Sequence, residues 1–154
     1  MMNAHSVTHA TFKIERVYDC PASKVFGALS DPDIKRRWFA EGEGWDIERY
    51  ALDFRVGGRE ESLFRFQGGD PISYDAIIQN IVPGQRVILA YSMTIAGKPI
   101  STSLATTELE PVGEKTKLLF TEQGAYLDGY DSVAEREQGT RELFEALAKE
   151  LAVA

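Results

Sequence analysis

Asp131–Ala154 reads DSVAEREQGTRELFEALAKELAVA, and its periodicity decides the architecture of the whole chain. Thr140, Phe144, Leu147 and Leu151 recur at steps of four, three and four, which makes one apolar stripe on a helix. Ser132 is a natural N-cap, and Glu135 three residues on completes the pattern of a capping box. Glu137 with Arg141, and Glu145 with Lys149, are spaced to pair on the wet side, each pair contributing a few tenths of a kcal/mol. No comparably long helix is signalled upstream, where most of the chain alternates like β-strand. A single long amphipathic helix must then bury its stripe against a sheet, and the sheet must curve around it. Gly139 interrupts the helix interior, where glycine costs about 1 kcal/mol against alanine. Two readings are open: close packing of helix on sheet, or room left for a ligand beneath the helix.

Working outward, the strands are punctuated by turn residues. Thr11 to Tyr18 alternates with period two and reads as the first strand. Pro21 fits the first turn of a helix over Ala22–Leu29, and Asp31-Pro32 caps and opens a second short helix. The run Lys35, Arg36, Arg37 that follows reads as a solvated face. Trp38 and Phe39 beside it must either close the core or line a pocket mouth. Trp45–Phe54, Arg59–Gln67, Ile72–Ile81, Arg86–Ile95, Ile100–Leu109 and Thr116–Gln123 alternate and are separated by Gly57-Gly58, Gln67–Pro71, Pro83-Gly84, Gly97–Pro99 and Pro111–Glu114. Gly57-Gly58 reads as a tight hairpin turn, since glycine accepts positive φ. Antiparallel strands with segregated helices make an α+β domain. The expected division is a flexible N-terminal arm over residues 1–10 and one domain over 11–154.

Composition narrows the function. At 154 residues the chain is long enough for a core without staples. A net charge of −7 opposes binding to nucleic acid or anionic membranes. No apolar run is long enough for membrane insertion, and the N-terminus lacks a signal-peptide pattern. The lone cysteine, Cys20, precludes an intrachain disulfide and fits a cytoplasmic location; it reads as structural rather than reactive.

Signatures of chemistry are scarce. The phosphate-binding loop, H-E-x-x-H, C-x-x-C and G-x-S-x-G are all missing from the sequence. Both histidines, His5 and His9, fall in the expected arm, so a histidine-based nucleophilic engine is not indicated, and no metal or cofactor is called for. Asp128 and Asp131 in LDGYD read as turn and helix-start residues rather than calcium ligands. Glu122 differs. If Leu118 and Phe120 face the core, period two turns Glu122 inward as well. There it is a structural ion pair with Arg16 or Arg59, or else a ligand contact or general acid–base.

Four stretches, YDCPASKVFGALSDPDIKRRWF (Tyr18–Phe39), DFRVGGR (Asp53–Arg59), IVPGQRV (Ile81–Val87) and EKTKLLFTEQG (Glu114–Gly124), resemble, in order and spacing, the AHSA1-like branch of the SRPBCC (START/Bet v 1-like) superfamily, the homologues of the activator of the Hsp90 ATPase. The likeness runs from about residue 11 to 152. The wider family often carries G-W in the last helix where this chain has Gly139-Thr140, which suggests a subgroup. The resemblance implies a helix-grip fold: a curved antiparallel sheet of about six to seven strands around the C-terminal helix, with two short helices after the first strand. It also implies an elongated apolar cavity between sheet and helix that holds a hydrophobic small molecule, lipid or polyketide-like. Trp38, Phe39, Trp45, Phe64, Phe66, Tyr74, Tyr91, Met93, Phe120, Glu122, Tyr126, Gly139 and Phe144 are the residues expected at such a site. Alternatives are a cyclase- or hydrolase-type enzyme using Glu122 and a tyrosine such as Tyr91, and a co-chaperone or homodimeric interaction module.

Overall fold

The computed structural model describes residues 5–153; the start of the expected arm and Ala154 lie outside them. Seven strands form one antiparallel sheet in the order β1-β7-β6-β5-β4-β3-β2. They are β1 (Val7–Tyr18), β2 (Trp45–Leu52), β3 (Arg59–Phe66), β4 (Ile72–Val82), β5 (Arg86–Ile95), β6 (Lys98–Val112) and β7 (Lys115–Leu127). Between β1 and β2 come α1 (Ala22–Ser30), α2 (Pro32–Lys35) and a π-helical turn, Arg36–Ala40; α3 (Val133–Leu151) closes the chain. This is the helix-grip arrangement that the resemblance implied, and the sheet with one long helix that the pattern called for. Register shifts at Ile47/Arg49, Ile78/Asn80 and Met93/Thr94 interrupt the ladders, and such bulges add the local bend and twist that a sheet needs to wrap a helix. No helix among the described residues is long and apolar enough to cross a membrane.

The stripe of α3 packs as its spacing requires. Thr140, Phe144, Leu147 and Leu151 are its buried residues. Phe144, Leu147 and Leu151 join Phe12, Ile14, Leu118 and Phe120 from β1 and β7 in the main core. A fully buried leucine such as Leu118 or Leu147 contributes about 1.5–3 kcal/mol relative to exposure. Tyr18 Oη donates to the Phe144 carbonyl at 3.0 Å, fixing β1 to the helix. Ser132 accepts from the Glu135 N–H at 3.2 Å, but the capping box is half-formed, because the Ser132 N–H goes to Asp131 Oδ1 at 2.8 Å. Glu137 and Arg141 pair as spaced, whereas Glu145 pairs with Arg16 of β1 instead of Lys149.

Three expectations need correction. The first strand opens at Val7, so residues 7–10 belong to the sheet rather than to an arm. They pair with Gly124–Leu127, and the Ser6 N–H is held by Asp128 Oδ1 at 2.7 Å. The Gly57-Gly58 hairpin is not a two-residue turn: β2 ends at Leu52, and a loop over residues 53–58 folds against β4. Gly57 N–H donates to the Ile78 carbonyl and Ile78 N–H to the Gly58 carbonyl, at 2.7 and 2.9 Å. Gly57 takes φ +83°, and a Cβ on Gly58 would stand 2.1 Å from the Asp53 carbonyl oxygen. Gly58→Ala is therefore expected to lower stability by at least about 1–3 kcal/mol in urea titration, the usual cost of overpacking; a neutral result would mean the loop is free to move.

Third, the basic run is not a uniform solvated face. Arg36 and Arg37 stay on the outside, pairing with Glu41 and Glu150. Lys35 turns inward and is buried. The π-helical turn, in which the Glu41 N–H reaches back to the Arg36 carbonyl at 2.9 Å, widens the helix end so that neighbouring Trp38 and Phe39 both face the interior. Trp38 Nε1 donates to the Ala28 carbonyl of α1 at 2.8 Å.

Candidate functional site

Between the concave face of the sheet, α3 and the π-helical turn lies a cavity of about 500 Å³, within the ordinary size range for small-molecule sites. Period-two alternation builds its floor: Leu89, Tyr91, Met93 and Ile95 from β5, Ala105 and Thr107 from β6, Phe120 and Glu122 from β7. Trp38, Phe39, Trp45, Phe64 and Tyr74 supply aromatic wall, and Gly139, Leu143 and Phe144 come from α3.

Eleven of the thirteen residues anticipated from the sequence border this cavity: Trp38, Phe39, Trp45, Phe64, Tyr74, Tyr91, Met93, Phe120, Glu122, Gly139 and Phe144. Two do not. Phe66 lies outside the wall, 42% exposed, with its ring 4.6 Å from that of Trp45. It sits at the outer end of β3, where the strand leaves the concave face. Tyr126 is buried behind the wall. Its ring folds back over Gly124, where a Cβ would stand 2.9 Å from the ring atoms. Tyr130 is the tyrosine of that segment that reaches the cavity mouth.

Gly139 is not there for close packing, because nothing lies within 4 Å of a Cβ built on it. Gly139→Ala is expected to raise stability by about 1 kcal/mol through helix propensity alone, read as a higher urea midpoint with an unchanged slope; destabilisation would restore a packing role.

Two buried carboxylates anchor polar clusters at the cavity. Glu122, 1% exposed, accepts at Oε2 from Tyr91 Oη at 2.7 Å, Ser103 Oγ at 2.9 Å and Arg136 Nη1 at 3.4 Å. Arg136 Nη1 also donates to Tyr91 Oη at 2.8 Å, and Nη2 donates to Ser101 Oγ at 2.7 Å and Asp131 Oδ2 at 2.6 Å. Burial pushes the Glu122 carboxyl above the ordinary carboxylate range, against the Tyr91 hydrogen bond and the Arg136 charge. Arg136 is nonetheless held more firmly charged: burial works against it, but its anionic surroundings, with Asp131 the nearest carboxylate, outweigh that cost. Burial, then Glu122, pushes the Tyr91 hydroxyl upward, so it stays a donor. Arg16 and Arg59, the partners expected for Glu122, are not the ones it has: Arg16 binds Glu145, and α3 delivers Arg136 instead.

The second cluster was not anticipated. Glu60, wholly buried, receives Lys35 Nζ at 2.8 Å, Tyr50 Oη at 2.6 Å and Tyr74 Oη at 3.3 Å. Lys35 Nζ lies 4.5 Å from the Phe39 ring centroid, a cation–π contact. The rings of Tyr74 and Tyr91, 4.8 Å apart, join the two clusters across the floor. Both missed groups had a signal. Glu60 shares the period-two face of Ser62 and Phe64, and Arg136 extends the α3 stripe one turn up from Thr140.

Residues 19–153 match the protein family described as activator of Hsp90 ATPase homolog 1-like protein. The chain belongs to that family. Among solved structures of this type, the Mll3558 protein from Rhizobium loti is 49% identical, over 94% of this chain and 99% of that one, with a TM-score of 0.88. A protein from Rhizobium leguminosarum is 41% identical over 97% and 98% of the two chains, with a TM-score of 0.92. DynU16, from the dynemicin biosynthetic locus, is 19% identical over 93% of this chain and 47% of that one, with a TM-score of 0.65; that likeness extends to the fold alone. No curated protein matches the chain. Membership in the Hsp90-activator-like family fits the helix-grip sheet, and in this chain the two carboxylate clusters reach the cavity through Lys35, Tyr74, Tyr91, Glu122 and Arg136.

Proposed function

We propose that this protein binds a hydrophobic small molecule in the cavity between sheet and α3. The observation that carries the reading is the cavity itself: about 500 Å³, walled by aromatic and aliphatic side chains, with a small set of convergent polar groups at Tyr91, Glu122 and Arg136. Sites that bury small ligands have this composition, apolar area for affinity and few polar atoms for orientation. A core meant only for stability would close such a space, since unfilled volume costs packing energy.

The test uses N-phenyl-1-naphthylamine, a neutral aromatic probe that brightens in apolar surroundings. The native protein is expected to bind it saturably, one per chain. Ala105 stands on the cavity floor and is 5% exposed, so Ala105→Leu places a larger apolar side chain in the ligand's space. Probe affinity is then expected to fall by about tenfold or more, roughly 1.4 kcal/mol or above, while the melting temperature holds or rises. Saturable binding that survives this change undiminished would place the probe elsewhere and sink the reading.

A further inference from the structure

Both cations on the cavity wall are already matched. Lys35 is paired with Glu60 at 2.8 Å, and Arg136 with Asp131 at 2.6 Å and Glu122 at 3.4 Å. The carboxylates are in surplus. Glu135 and Glu142 of α3 also border the cavity, and neither makes an ion pair among the described residues. On Glu122, the three hydrogen bonds converge on Oε2 and Oε1 receives none of them; the Tyr126 hydroxyl, also beside Glu122, is buried and makes no hydrogen bond to it. A carboxylate 1% exposed, with an oxygen left over and a place on the cavity wall, is a built acceptor.

The charge sum gives the sign. Arg136, Asp131 and an ionised Glu122 total −1; with Glu122 neutral they total zero. With Glu122 ionised, a ligand carboxylate would add a second unmatched negative charge in a low-dielectric space, where like charges repel strongly. A ligand ammonium instead brings the cluster with ionised Glu122 to neutrality and supplies a donor to Oε1.

Resting on the reading of an apolar cavity, we infer that the occupant is an arylalkyl amine, protonated near neutral pH, whose ammonium donates to Glu122 Oε1, and not a fatty acid or other organic anion. Neutral alcohols of the same shape bind more weakly than the amine and more tightly than the acid.

The experiment compares three probes that share one ring system: 1-naphthylmethylamine, 1-naphthylmethanol and 1-naphthoate. Affinities are measured by calorimetry near neutral pH in about 0.15 M salt, which screens the general attraction of an acidic protein for cations. The expected order is amine, alcohol, acid, with the amine about tenfold or more above the acid. In Glu122→Gln the amine is expected to fall to the level of the alcohol. Naphthoate binding as tightly as the amine would overturn the inference and leave the apolar-cavity reading standing. An amine preference that survives Glu122→Gln would overturn the assignment to Glu122 and move the cation to the Glu135–Glu142 rim. If none of the three binds while N-phenyl-1-naphthylamine does, the inference falls and the apolar-cavity reading stands.

Discussion

Lys35→Met is expected to destabilise the protein by about 3–5 kcal/mol, measured as urea unfolding near neutral pH. Its partner Glu60 is wholly buried, so removing the ammonium strands a carboxylate in the core, and breaking one side of a buried pair costs about that much. Two tyrosine hydroxyls remain, Tyr50 at 2.6 Å and Tyr74 at 3.3 Å, but neutral donors do not replace a charge. The second change separates a charge effect from a packing effect. Lys35→Met with Glu60→Gln removes the charge on both sides and keeps an acceptor for both tyrosines. It is expected to recover most of the loss, since replacing a whole buried pair is often close to neutral. If the single variant loses less than about 1 kcal/mol, the range of an exposed pair, then Glu60 is reached by water and the cluster is not the sealed structure described.

The same contrast between charge and packing marks what could be read from the sequence. The stripe Thr140–Phe144–Leu147–Leu151 needed only helical spacing, and all four residues are buried. Most strands were legible because glycine and proline punctuate them, and Glu122 was found inward because Leu118 and Phe120 fix the parity of β7. Parity says where a side chain points but not what it meets. The partner of Glu122 depends on where the first turn of α3 lands over β7, a distance set by the Asp128–Ser132 turn and the bend of the sheet. Arg16 and Arg59 were plausible on charge alone and are elsewhere in space. Lys35 was hidden by its neighbours: three consecutive basic residues suggest solvent, and only the π-helical turn after it shows that the helix end rotates inward. Gly139 needed three dimensions to decide between packing and space, and the space is open.

Arg136→Met is the other large effect, expected to cost about 3–5 kcal/mol near neutral pH. Arg136 supplies donors to Tyr91, Ser101, Asp131 and Glu122 at once, and the Asp131 bond also steadies the residue just before the Ser132 cap of α3. Its loss leaves two carboxylates, Asp131 and Glu122, without the cation they share. The pH dependence identifies the cause. Glu122 already has a native-state pKa above its ordinary value because of burial, with Arg136 among the influences holding it down. Such a group binds more protons in the folded state than in the unfolded one, so its contribution to stability is full below the unfolded value, about 4.3, and is lost as pH rises through the folded value. Removing Arg136 raises the folded value further and widens that window upward. The deficit of Arg136→Met against the parent protein is therefore expected to be smaller near pH 5 than near pH 7, and to shrink near pH 7 when Glu122→Gln is added. A deficit that does not change with pH and is not reduced by Glu122→Gln would assign the loss to the helix start at Asp131 and to packing. Glu122 would then no longer be the uncompensated charge on the cavity wall.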